Sequence, residues 1–361
     1  MRSSEENLPG RAEENAISVG EIGDMLPRLL EEHDFSGTAL VRIGKQSVSM
    51  QRGEAHRGFH VPVNGRTRFD CASVTKLFTA AAALQLVGQG RFALDTPICD
   101  LADLAGTKIP RDVTVLHLLN HTSGIADDAD EEAGEDYADL FKASPNYAIR
   151  ECRDFLPNFA YKEPNFAVGT DVRYCNCSFV LLGLAIEKAS GLAYREYVRQ
   201  NIFVPAGMHG ADFLAMDGVN ENFAEGYTDG GTRKNIYSYP PIGTPDGGAC
   251  VTAQDLCLFF DAVKGGRLLP SDLSAFFLRP NSPVSRPFDW NGTECTWRTG
   301  CALEFVEKDG KIRYMYKEGV NAGVSAIVSY HPEQDALIAL LSNNEANVWT
   351  IHDALRDRIH R

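Results

Sequence analysis

Between Leu77 and Val87 only Thr79 and Gln85 interrupt an apolar run. A surface helix would keep a polar face, so this pattern predicts a helix that passes through the protein interior, with Gly88 placed to end it. A weaker helical pattern covers residues 17–30, diluted by Gly20 and Gly23 and interrupted or bent at Pro27. Residues 38–43 and 47–51 alternate around Gly44-Lys45 and predict a hairpin. Further on, residues 113–120 form a short helical pattern, and the acidic stretch 127–135 reads as a solvated loop. Residues 179–189 make a second apolar helix closed by Ser190-Gly191, and residues 194–203 make another, stopped by Pro205. Residues 235–248, rich in Pro, Gly and Tyr, form a long loop of the kind that walls a binding site. Strands return at 302–307 and 312–316, flanking Asp309-Gly310, and at 325–330 and 336–341, flanking His331-Pro332-Glu333. An amphipathic helix over 348–359 closes the chain.

This order of strands, helices, strands and a final helix predicts an α+β fold. The first and last strands join in one antiparallel sheet covered by the terminal helices, with a helical subdomain beside it. The expected division is a disordered lead-in over 1–16 and a single domain over 17–361. Within that domain, 17–70 and 290–361 form the α/β part and 71–289 the mainly helical part.

Charge and cysteine content narrow the partners. A net charge of -14 argues against nucleic acid and anionic membrane, both of which need a basic surface. The first residues lack the apolar stretch of a secretory signal, and no run is long enough to span a bilayer, so the expected compartment is the cytoplasm. Nine cysteines without metal-site spacing read as buried free thiols of a reducing compartment. His117 and His121, four apart, have no third ligand at helpful spacing, so no metal and no cofactor is expected.

The candidate chemistry starts at the mouth of the first apolar helix, in Phe69-Asp70-Cys71-Ala72-Ser73-Val74-Thr75-Lys76. Ser73 and Lys76 are three apart and share one helix face. A serine hydroxyl is a poor nucleophile at neutral pH. A lysine whose charge is disfavoured by burial and by the helix N-terminus can take its proton. Alone, Ser-x-x-Lys also reads as an ordinary helix start with a serine cap. Two further elements decide between these: Tyr174-Cys175-Asn176 before an apolar helix, and Lys317-Glu318-Gly319 at the end of a strand.

In this order and on these elements, the three motifs resemble the serine β-lactamase and penicillin-binding-protein superfamily, in its class C-like branch with a Tyr-x-Asn second motif. That branch includes β-lactamases, DD-peptidases, D-aminopeptidases and family VIII esterases. The similarity runs from about residue 37 to 344 and takes in His117-Leu118-Leu119-Asn120-His121-Thr122-Ser123-Gly124, Pro205-Ala206-Gly207-Met208 and Ser342-Asn343. The resemblance implies a β-lactamase/transpeptidase-like fold and an acyl-enzyme formed on Ser73. It gives Lys76 as the partner lysine, Tyr174 as a proton-relaying phenol and Asn176 as the amide that bonds Lys76 and substrate. An oxyanion hole would come from the N–H groups of Ser73 and Val320. Lys76 and Lys317 are expected to favour the phenolate of Tyr174.

One position departs from the pattern. Where relatives usually carry a hydroxyl that meets the substrate carboxylate, Glu318 stands. A carboxylate pointing into the cleft would disfavour anionic substrates. The expectation is therefore a serine hydrolase acting on small neutral or cationic esters or amides. The alternatives are a β-lactamase or DD-peptidase/D-aminopeptidase, and a catalytically silent binding protein on the same fold. The sequence has no Gly-x-Ser-x-Gly elbow, no His-Glu-x-x-His and no Gly-x-Gly-x-x-Gly loop. It leaves the oligomeric state open.

Overall fold

The computed structural model describes residues 18–345 and 348–361; the expected lead-in at 1–16 lies outside them. Helix α1 (Val19–Glu32) begins with a capping box in which Ser18 and Glu21 bond each other's backbone N–H groups. It runs on through Pro27, against the expected break there. Pro27 is on the exposed face, where the carbonyl it leaves unbonded meets water. Strands β1 (Gly37–Ile43) and β2 (Gln46–Arg52) form the expected hairpin. The central helix α2 (Lys76–Gly88) is preceded by a 3-10 turn over Ala72–Thr75. The left-handed residue after α2 is Gly90 rather than Gly88. Helices α3 (Asn176–Ser190) and α4 (Ala253–Lys264) complete the buried helical layer against it. The segment after Tyr194 does not stop before Pro205: a π-turn over Arg199–Phe203 carries it through Val204–Ala206, and Gly207 at φ +78° ends it.

The last third is an unbroken antiparallel meander: β3 (Ser285–Trp290), β4 (Thr293–Thr299), β5 (Glu304–Lys308), β6 (Lys311–Asn321), β7 (Val324–His331) and β8 (Ala336–Ser342). With the first hairpin it makes one eight-stranded sheet in the order β2-β1-β8-β7-β6-β5-β4-β3. Helix α5 (Val348–Ile359) ends the chain. The β3–β4 hairpin is an element the sequence pattern did not predict, and the later run of sheet strands begins with it at Ser285.

Strand alternation divides the apolar residues between the two faces of the sheet. Ile338 and Leu340 of β8 join Ile22, Leu26 and Leu30 of α1 and Ile351 and Leu355 of α5 in one core. Leu337, Ala339 and Leu341 face the other way, into the core built on α2, α3 and α4. Because both faces are covered, β7 and β8 are buried along their whole length. The face toward α2 brings the end of β6 against the turn that carries Ser73.

Candidate active site

Ser73 sits on a backbone held in a costly shape. Ala72 has φ +43°, a left-handed conformation rare for a residue with a side chain. Hydrogen bonds fix it from both sides. Its N–H donates to Asp70 Oδ1 at 2.7 Å, and its carbonyl accepts from Thr75 Oγ1 at 2.6 Å and from the N–H of Gly248 at 3.3 Å. Burial pushes the Asp70 carboxyl up to about 6. Strand β6 reaches this turn because residue 319 has no side chain. A Cβ there would fall 2.4 Å from the Cys71 carbonyl oxygen and 2.8 Å from the Ser73 nitrogen.

Lys76, fully buried, donates to Ser73 Oγ at 2.9 Å, to Asn176 Oδ1 at 2.7 Å and to the carbonyl of Asp246. These contacts occupy all three ammonium hydrogens. Burial lowers its pKa to about 8, helped by the charge of Lys317 and opposed by Asp246, Glu131 and Asp127. From the other side the Tyr174 hydroxyl donates to Ser73 Oγ at 2.7 Å. Lys76 and Lys317 lie 5.0 and 4.7 Å from the Tyr174 ring centroid. They do not make it a phenolate, contrary to the sequence expectation. Burial dominates, and the carboxylates of Glu131, Asp127 and Asp246 add to it, so the phenol is pushed well above its usual range. Ser73, Lys76, Tyr174 and Asn176 thus converge in one hydrogen-bonded group, with Lys317 against the tyrosine face.

The acidic stretch expected to be solvated is buried at its start, with Asp127 5 % and Asp128 2 % exposed. Helix α3 begins after Cys175, which offers no side-chain cap. Asp127 supplies one from 49 residues away, accepting from the N–H groups of Asn176 at 2.8 Å and Cys177 at 2.9 Å. It thereby fixes the turn that carries Tyr174 and Asn176. Asp127, Asp128 and Cys177 bring their ligand atoms within 4.8 Å of one another. Both Asp127 oxygens accept from the helix N–H groups, and the Asp128 carboxyl is pushed well up by burial and by its acidic neighbours, so the cluster serves as a helix cap. The two histidines diverge. His117 Nδ1 bonds Thr114, while His121 accepts from the N–H of Cys175 and packs 4.9 Å from the Tyr174 ring. Burial, with Lys317 and Lys76 nearby, keeps His121 neutral.

The cleft extends from Ser73 along two arms that share Ser73, Glu131 and Val320. One arm runs between residues 239–248, the second half of the Pro- and Gly-rich loop, and Tyr137, Met216 and Phe223. The other is bounded by Tyr174, Arg286, Trp297, Thr299, Glu304 and Lys317, so the unexpected β3–β4 hairpin supplies three of its lining residues. Val320 stands half exposed at the junction.

Glu318 borders the cleft, and its carboxylate accepts from the indole N–H of Trp349 on α5. Lys317 and Gly319 face the Ser73 side, so strand alternation turns Glu318 onto the opposite face. Glu131 and Glu304, which also line the cleft, were not singled out from the sequence.

Comparison with known proteins agrees with this architecture. A protein-family model described as Beta-lactamase matches residues 23–358. Penicillin-binding protein 4 of Amycolatopsis lactamdurans is 28% identical over 348 residues, which span 91% of this chain and 86% of that protein. Esterase EstB of Burkholderia gladioli is 32% identical over 224 residues, 60% of this chain and 56% of the esterase. Among solved structures, a penicillin-binding protein from Bacillus halodurans superposes with a TM-score of 0.86 at 34% identity, covering 92% of this chain and 99% of the other.

Proposed function

The chain belongs to the β-lactamase family of serine hydrolases, and from that premise we propose that it cleaves small esters or amides through an acyl-enzyme on Ser73. The observation that carries the proposal is the placement of Ser73 Oγ 2.9 Å from Lys76 Nζ and 2.7 Å from the Tyr174 hydroxyl. In the reacting form Lys76 is neutral, and its lone pair accepts the Ser73 proton as Oγ bonds to the substrate carbonyl carbon. The oxygen of that carbonyl takes up negative charge against the N–H groups of Ser73 and Val320. The carbonyl re-forms as the bond to the alcohol or amine breaks, and that leaving group takes a proton relayed from Lys76 through the Tyr174 hydroxyl. Water then adds to the acyl-serine, releasing the acid and restoring Ser73. Asn176 holds Lys76 in place throughout.

Replacing Ser73 by alanine should lower turnover of p-nitrophenyl esters by about 10^3-fold or more and leave the melting temperature within a few degrees. A serine-directed phosphonate should label Ser73. Wild-type activity in Ser73→Ala would end the assignment.

A second reading, a β-lactam or D-aminoacyl amide as substrate, gains from the orientation of Glu318. The carboxylate that argued against an anionic substrate is bonded to Trp349 instead. A chromogenic cephalosporin and a D-amino-acid anilide assayed beside the aryl esters separate the readings. The nine unpaired cysteines support a reducing, cytoplasmic compartment.

A further inference from the structure

Among the described residues, the lysine and arginine that line the arm beside Tyr174 are Lys317 and Arg286, and each is paired with a carboxylate. Lys317 is 2 % exposed, and its Nζ lies 3.5 Å from Glu304 Oε1. Glu304 is itself held rigidly: its Oε2 accepts from Trp297 Nε1 at 2.9 Å and from the Tyr316 hydroxyl at 2.8 Å. It stands at the first position of β5, directly across from Tyr316, where β5 begins and the remaining edge of β6 opens onto the cleft. Arg286, at the rim, is paired with Asp171 at 3.5 Å and donates to the carbonyl of Val172. Glu131 faces both arms and makes no ion pair within 4 Å among the described residues. Its carboxyl is raised by burial and by Asp127, and Lys76 opposes the shift.

We propose that Glu304 is the specificity-determining residue of this cleft. Its carboxylate neutralises Lys317, so that the arm lined by Trp297 and Lys317 rejects a carboxylate-bearing substrate and accepts a neutral or ammonium-bearing one. The inference rests on the reading of Ser73 as nucleophile and assigns to Glu304 the role first expected of Glu318. The physical reason is that a fixed carboxylate beside a buried ammonium removes the net charge an incoming anion would need. A second carboxylate entering there would meet Glu304 and Glu131, with no unpaired lysine or arginine lining that arm among the described residues to offset them.

Boronic acids bind serine hydrolases as adducts of the nucleophile, so their inhibition constants report charge preference without requiring turnover of a charged substrate. Phenylboronic acid, 3-carboxyphenylboronic acid and 3-(aminomethyl)phenylboronic acid would be measured against hydrolysis of a neutral aryl ester. Wild type should favour the ammonium compound over the carboxylate by about tenfold or more. Glu304→Gln, which keeps an acceptor for Trp297 and Tyr316, should shift that ratio toward the carboxylate by roughly tenfold, the scale of one unscreened neighbouring charge in a partly buried site. Adding Lys317→Gln to Glu304→Gln should abolish the gain, because the gain depends on the freed ammonium.

A ratio in Glu304→Gln within twofold of wild type, with phenylboronic acid still inhibiting both, would overturn the role of Glu304 and leave the nucleophile assignment standing. Absence of inhibition by all three boronates would instead count against Ser73, and this inference would fall with it.

Discussion

Two lysines are buried in one cleft, and their partners set them to different tasks. Lys76, at the start of α2, meets only neutral acceptors: a serine hydroxyl, an asparagine carbonyl and a backbone carbonyl. Lys317, at the end of β6, meets the carboxylate of Glu304 and the face of Tyr174. Burial removes water from both. A neutral partner gives little back to the ammonium, so the Lys76 pKa falls to about 8 and its amine becomes available as a base near neutral pH. Lys317 instead stands as one half of an ion pair with Glu304. Burial alone therefore does not say which lysine serves the serine; the partners each one meets do.

The largest effect expected from breaking this contrast is at Lys76. Arginine there keeps the positive charge but cannot lose its proton, so Lys76→Arg should lower kcat/KM for a neutral ester by about 10^3-fold. Lys317→Met removes a charge near the reacting oxygen without removing the base, and should cost about 10- to 100-fold. Single-turnover acylation rates would measure both. Equal losses at the two positions would mean that charge alone, not proton transfer, is what the serine requires.

The pH profile sharpens the same contrast. If neutral Lys76 is the active form, kcat/KM should rise through an apparent pKa of about 8 and then level. Below that point it should fall by about tenfold per unit. The direction follows from the chemistry, since the proton acceptor must be unprotonated and that form dominates above its pKa. In Lys76→Arg the limb should vanish, leaving a low, flat profile. A limb that survives in this variant would belong to another group, and Asp70, raised to about 6 and bonded to the Ala72 N–H of the serine turn, is one such group.

How much of this was legible in the sequence depended on how local each feature is. Ser73 and Lys76 are one helical turn apart, and the apolar run after them marks the helix that carries them, so both the pair and its burial could be read directly. The cap on α3 could not. Asp127 reaches Asn176 across 49 residues, and a run of carboxylates between 127 and 135 looks like a solvated surface until the fold buries its first two members. The clue was indirect: a buried helix opening with Cys-Asn-Cys has no capping side chain of its own. The β3–β4 hairpin escaped for the opposite reason. β3 is an edge strand with Pro287 inside it and no buried residue, and its alternation is confined to Phe288-Asp289-Trp290, too short to mark a strand. Its turn, Asn291-Gly292, was the signal available, with both residues at positive φ. The phenolate expected of Tyr174 failed because counting nearby cations without weighing burial and three carboxylates gives the wrong sign.

The smallest effect is expected at Glu318, and it tests whether strand parity or motif position sets the charge of the cleft. Lys317 and Glu318 are adjacent, so one faces the serine and the other faces α5, where the carboxylate meets the Trp349 indole. Burial, with the charge of Glu304 adding to it, raises the Glu318 carboxyl, and Lys317 and the Trp349 bond only partly oppose this. A raised carboxyl pKa means that the folded protein holds this proton more tightly than the unfolded chain does. The ionised side chain is therefore a stability cost that appears as pH rises through the interval between the two values and is absent below it. Glu318→Gln keeps an acceptor for the indole and removes the charge. It should raise the melting temperature at pH 8 by roughly 1 to 3 °C and leave it unchanged at the acid end of that interval, where the native carboxyl is already protonated. The ratio of the carboxylate to the ammonium boronate should move less than twofold, against the roughly tenfold shift expected for Glu304→Gln. A tenfold shift at Glu318 with none at Glu304 would return the charge selection to the position where the motif pattern first placed it.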